Sequence, residues 1–182
     1  MKKLNKPFYL VAFVALVAVL LVGASPVSRS RAGSGEAASF KLKGVDGKIY
    51  DLAAMRGEIV VLSFGATWCK PCQWELGALE ELKREYQGRG VRFLWASIES
   101  DEQAPNDALR SYAKSLKLTI PVLRDPEKLA FAQFSERVRL PMVVFFDREG
   151  KFAAPKHTGM TPQPEDYKKL MRSRLDALLA AK

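Results

Sequence analysis

The run EIVVLSF, residues 58–64, is apolar almost throughout and lacks the alternation of a half-exposed strand, so it reads as a strand buried on both faces. Shortly after it, CQWELGALEELKREYQ (72–87) places Leu76, Leu79, Leu82 and Tyr86 at helical spacing with charges between them. A two-faced strand feeding an amphipathic helix needs cover on both sides of its sheet. Few folds offer that.

The rest of the chain agrees. FKLKGVDGKIYDL alternates around a DG turn and predicts a hairpin over 40–52. VRFLWASI (91–98) and the apolar part of RVRLPMVVFFD (137–147) read as further buried strands, and PNDALRSYAKSLK (105–117) as an amphipathic helix. A short helix is expected around PEKLAFAQF (126–134), an extended piece at KFAA (151–154), and a closing helix over PEDYKKLMRSRLDALLA (164–180). Strands alternating with helices imply an α/β fold, a mixed central sheet with helices on both faces and an added N-terminal β-hairpin.

Both cysteines of the chain, Cys69 and Cys72, fall at the handover from strand to helix, in the sequence WCKPC. Three uses compete for so close a pair. A structural staple is a poor use, because so small a ring restricts little of the unfolded chain. A zinc site needs four ligands, and the sequence holds no second cysteine pair and a single histidine, His157. Electron exchange fits the address. Cys69 at or before the first turn faces free N–H groups and the positive end of the helix dipole, which stabilise a thiolate, while Cys72 lies one turn inside. Pro71 suits an early helical position, where its missing N–H is not needed. The charge of Lys70 favours the Cys69 thiolate, and Trp68 offers a flat apolar contact beside the pair.

The N-terminus, MKKLNKPFYLVAFVALVAVLLVGAS, sets three lysines before an uncharged run over 7–24. Eighteen helical residues extend about 27 Å, close to a bilayer's hydrocarbon thickness, so residues 1–24 are read as a signal-anchor or a cleaved signal peptide. Lys2, Lys3 and Lys6 outnumber Arg29 and Arg31 beyond the run, which favours an extracytoplasmic, periplasmic-side domain anchored in the inner membrane. Residues 25–38, SPVSRSRAGSGEAA, form a flexible linker to a domain at 39–182. The formal charge of +9 reads as a solvated basic surface. No stretch combines clustered Lys/Arg with stacking aromatics, so no nucleic-acid partner is expected.

From about Phe40 onward the sequence resembles the thioredoxin superfamily, and within it the membrane-anchored TlpA/ResA-like thiol–disulfide oxidoreductases. The resemblance rests on VVLSFGATWCKPC, RLPMVVFFDREGK and HTGMTPQPED. It implies a thioredoxin-like fold, Cys69 as attacking thiol, Cys72 as resolving thiol, and a cis Pro141 beside the site. No cofactor follows from it. The partners it implies are cysteine-containing exported or membrane proteins, of the cytochrome c maturation or oxidase copper-site assembly type, and a transmembrane thiol electron donor.

Two departures from the pattern matter. Six residues before the first cysteine, where thioredoxin has a buried aspartate, this chain has Ser63, so Cys72 needs another proton acceptor; the resemblance points to Glu99 in ASIES. Five residues after Cys72, where relatives have a kinking proline, stands Gly77. Two other functions compete with a reductase. A Sco-like copper-binding assembly factor would pair the cysteines with His157, although such proteins use C-x-x-x-C, and His157 before TGM reads as a surface turn. A disulfide-forming oxidant would use the same pair in reverse. Peroxidase chemistry lacks its P-x-x-x-T-x-x-C loop.

Overall fold

The computed structural model describes residues 38–160 and 163–181. The segments read as leader and linker, residues 1–24 and 25–38, lie outside them except for Ala38.

Among the described residues, seven strands form one sheet: β1 (Lys41–Gly44), β2 (Ile49–Asp51), β3 (Ile59–Gly65), β4 (Val91–Ser97), β5 (Val122–Arg124), β6 (Met142–Phe146) and β7 (Phe152–Thr158). Their order is β2-β1-β5-β4-β3-β6-β7. The central β3 pairs in parallel with β4 and antiparallel with β6, so the sheet is mixed. The helices among the described residues are α1 (Lys70–Glu85), α2 (Asn106–Ser115), α3 (Leu129–Ala132) and α4 (Pro164–Ala180), with a 3₁₀ turn at Leu52–Met55.

Strand periodicity divides the core in two. Ile59 and Val61 of β3, Phe93 and Trp95 of β4, and Val143 and Phe145 of β6 face Leu76, Leu79 and Leu82 of α1 and Met171 and Leu175 of α4. Val60, Leu62 and Phe64 point the other way, with Leu94, Val144 and Phe146, onto Phe131 of α3 and Phe40. All seven residues of β3 are buried, as its unbroken apolar run requires. Ser63 shares the parity of Ile59 and Val61 and is therefore delivered, fully buried, to the α1/α4 side.

Three local readings need correction. The 126–134 helix is only α3: Lys128 takes a left-handed φ of 58°, and the buried Asp125 carboxylate caps the N–H groups of Ala130 and Phe131. β5 had no sequence signal, being three residues after a proline. It nonetheless joins β1 to β4. β7 runs past KFAA to Thr158, so His157 is no turn residue; it pairs with Val143 and is half-buried.

Candidate functional site

Strand β3 ends at Gly65, and the chain reaches α1 through Ala66, Thr67, Trp68 and Cys69. Gly65 is required by close approach: a Cβ there would lie 2.5 Å from Trp95 Nε1 and 3.4 Å from the Cys72 Cβ. Cys69 is the N-cap of α1, and its Sγ accepts the Cys72 N–H at 3.2 Å. Cys69 and Cys72 are joined as a disulfide, with Cα atoms 5.2 Å apart. Cys69 keeps 5% of its surface exposed and Cys72 none, so the outer sulfur is the one a partner can meet. The same N–H and helix end that face Cys69 Sγ stabilise a thiolate there on reduction.

The neighbours of the pair are arranged around it. Trp68 is 67% exposed, which leaves its ring free for contact rather than committed to packing. Lys70 is exposed and its Nζ donates to Gln73 Oε1, and Pro71 occupies the first turn of α1. The Leu140–Pro141 peptide bond is cis. Leu140 packs against the small cluster formed by Ala66, Cys69 and Cys72, and the Pro141 carbonyl accepts the Gly159 N–H at 2.8 Å.

Glu99 lies just past the end of β4 and is buried. Both carboxylate oxygens are engaged: Oε2 accepts the Thr67 N–H at 2.7 Å and the Ser97 hydroxyl at 3.0 Å, and Oε1 accepts the Thr67 hydroxyl at 2.7 Å. Thr67 stands two residues before Cys69. Glu99 therefore ties the loop that carries the nucleophile to the sheet.

A fully buried acid on the cysteine helix itself, one turn from Cys72, is Glu75, which sequence reasoning missed. It sits three residues after Cys72, and at i,i+3 the two share a helix face with Cβ atoms about 5–6 Å apart. Its side chain is fully buried; Ser63 Oγ donates to Oε2 at 2.6 Å and Tyr167 Oη to Oε1 at 2.9 Å. Burial pushes the carboxyl up to about 7, against the pull of the two hydroxyls. Such a group is divided between its acid and base forms at neutral pH, which suits it to accept a thiol proton. Tyr167 is itself buried, with its hydroxyl held well above its ordinary range by burial and then by Glu75. Its ring lies 5.5 Å from that of His157, whose pKa is lowered by burial and by Arg174.

A signal for Glu75 did exist. Ser63 is a polar residue inside an apolar strand, and a buried hydroxyl needs a partner. The stripe Leu76, Leu79, Leu82 leaves position 75 at the edge of the same buried face.

A model of the AhpC/TSA family matches residues 34–154. The thioredoxin-like protein YneN of Bacillus subtilis is 37% identical over 50% of this chain and 52% of its own length, so the chain spans about half of that relative. The thiol–disulfide oxidoreductase ResA of Geobacillus thermodenitrificans is 30% identical over 75% of each chain. Among solved structures, the exposed lipoprotein thioredoxin of Streptococcus pneumoniae superposes with a TM-score of 0.61 at 29% identity, over 75% of this chain and 99% of that one.

Proposed function

Because the chain belongs to the AhpC/TSA family, we propose that it is a thiol–disulfide oxidoreductase of the ResA kind that reduces disulfides in exported partner proteins. The observation that carries this reading is a Cys69–Cys72 disulfide at the mouth of α1, with a buried acid one turn beyond the inner cysteine.

In the reduced enzyme the Cys69 thiolate attacks one sulfur of the client disulfide. A mixed disulfide forms, and the other client sulfur leaves as a thiolate that takes a proton from water. Glu75 accepts the Cys72 proton, and the Cys72 thiolate attacks Cys69 Sγ. The Cys69–Cys72 bond forms and the second client thiolate departs, so two electrons pass from enzyme to client. Trp68 and the Leu140–Pro141 segment flank the client, and Glu99 holds the attacking loop in place. The cycle needs no cofactor but does need a donor dithiol. A transmembrane thiol relay supplies it if residues 1–24 hold the 39–182 domain outside the membrane through the 25–38 linker, an arrangement that the lysine bias of the leader favours.

A cysteine trap tests the reaction. Cys72→Ser halts it at the mixed disulfide, because the serine hydroxyl is too weak an acid to displace sulfur. Exported proteins with cysteine pairs are then expected on non-reducing gels and are released by added thiol, while Cys69→Ser traps few or none. No adduct from an exported, folded Cys72→Ser chain overturns the reading. Direction is tested separately: an equilibrium potential near about −270 mV supports a reductase, and one near about −120 mV an oxidant.

A further inference from the structure

A cleft of about 620 Å³ has a lining that includes Phe134, Glu136, Arg137, Arg139, Lys156 and Thr158. Three of these side chains are cations and one is an acid. Arg137 and Arg139 are exposed, and neither side chain has a hydrogen bond or ion pair with another described residue. Lys156 Nζ donates to the Phe134 carbonyl and meets no carboxylate among the described residues.

The position of these charges gives them meaning. Arg139 is two residues before Pro141, and Leu140 between them packs against the small cluster that holds both cysteines. Thr158, also in the lining, pairs with Met142, the residue after Pro141. The cleft therefore opens from the segment that flanks the nucleophile. An extended client rises about 3.3 Å per residue, so residues a few positions along from its cysteine run past the Leu140–Pro141 segment toward the arginines. Guanidinium groups match carboxylates in fork geometry, and cations left without partners carry no ion pair that must first be broken.

Resting on the oxidoreductase reading above, we propose that this cleft selects clients with Asp or Glu within a few residues of the target cysteine. The occupant is an acidic segment of the client polypeptide.

The test uses the full reduced chain and three disulfide-linked peptides that differ only in four residues flanking the cysteine: Asp/Glu, Asn/Gln or Lys. At low salt the acidic peptide is expected to react about tenfold faster than the neutral one, and the basic peptide more slowly. The acidic-to-neutral ratio should fall to about threefold or less in 0.5 M NaCl, and likewise in the Arg137→Gln, Arg139→Gln double variant. The readout is a ratio within one protein, so a general loss of rate does not imitate it, and circular dichroism checks that the variant is folded. A wild-type ratio near one, or a tenfold ratio that survives in the double variant, overturns the proposal. Failure of the wild type to reduce even the neutral peptide sinks the oxidoreductase reading instead. Arginine-dependent binding to phosphatidylglycerol vesicles without any peptide preference reassigns the cleft to lipid headgroups and also overturns the proposal.

Discussion

Replacing Glu75 by glutamine should change how the stability of the oxidised protein depends on pH. The Glu75 carboxyl ionises at about 7 in the folded protein, against an ordinary 4.5, because burial disfavours its charged form. Between those values the folded state holds a proton that the unfolded chain has released. Stability from this group is therefore complete below about 4.5 and is lost as pH rises through about 7. Each unit of the window is worth about 1.36 kcal/mol, which places the loss at about 3 kcal/mol. Glutamine retains the size and can hydrogen-bond Ser63 and Tyr167 but does not ionise, so this component vanishes. Urea unfolding of the oxidised wild type and of Glu75→Gln at pH 5 and pH 8 measures it, since titrations common to both proteins, such as that of His157, cancel in the comparison. The wild type should lose about 2.5 kcal/mol more than the variant over that interval, part of the loss having already occurred by pH 5. Parallel stability curves, within about 0.5 kcal/mol, would refute a buried Glu75 with a raised pKa and with it the proton acceptor assigned to Cys72.

Three further perturbations probe the same site and its helix. Tyr167→Phe removes one of the two hydroxyls that stabilise ionised Glu75, so the inflection of the resolving step with pH should rise by about one unit, at about 1.5 kcal/mol for a hydrogen bond to a charged group; stopped-flow rates over pH 5 to 9 read this. Glu99→Gln replaces the charge-assisted bonds from Thr67 and Ser97 by neutral ones, which should lower urea stability by about 1–2 kcal/mol and slow attack by Cys69. A shifted pH profile at unchanged stability would instead make Glu99 a proton acceptor. Gly77 lies exposed within α1 and a Cβ there meets nothing within 4 Å, so Gly77→Ala should raise stability by about 0.5–1 kcal/mol, read as a higher urea midpoint at unchanged slope.

What could be read from the sequence depended on how far each signal was local. The unbroken run of β3, the DG hairpin and the leucine stripe of α1 each depend on residues near one another in the chain, and those elements stand where periodicity puts them. β5 does not. Its three residues are held by β1 and β4, partners distant in sequence, so nothing in PVLRD announces a strand. α3 shrank for the opposite reason: a local apolar pattern promised more than the Asp125 cap and the left-handed Lys128 allow. At the site, the cysteines, Trp68 and Pro141 could be found because a motif carries them. Glu75 could not be singled out the same way, because glutamates are common on α1 and only the tertiary placement of Ser63 and Tyr167 separates this one from Glu81, which lies exposed on the same helix.

The pairing of Ser63 with Glu75 also explains how the site tolerates a strand position without an acid. A carboxylate at residue 63 would project from β3 toward α1, the space into which Glu75 projects from the other side. Two carboxylates there would share one buried pocket and repel, and one would be forced to stay protonated. A hydroxyl at 63 instead donates to the acid that the helix supplies. The acid thus moves with α1, the element that carries Cys72, rather than with the sheet. A displacement of α1 when the disulfide opens would keep Cys72 and its acceptor in register but would stretch the 2.6 Å contact to Ser63 and the 2.9 Å contact to Tyr167. Both contacts favour the ionised carboxyl, so loosening them raises its affinity for the proton that Cys72 must lose. Such a displacement would couple the redox state of the cysteines to the basicity of Glu75 through two hydroxyls on neighbouring elements.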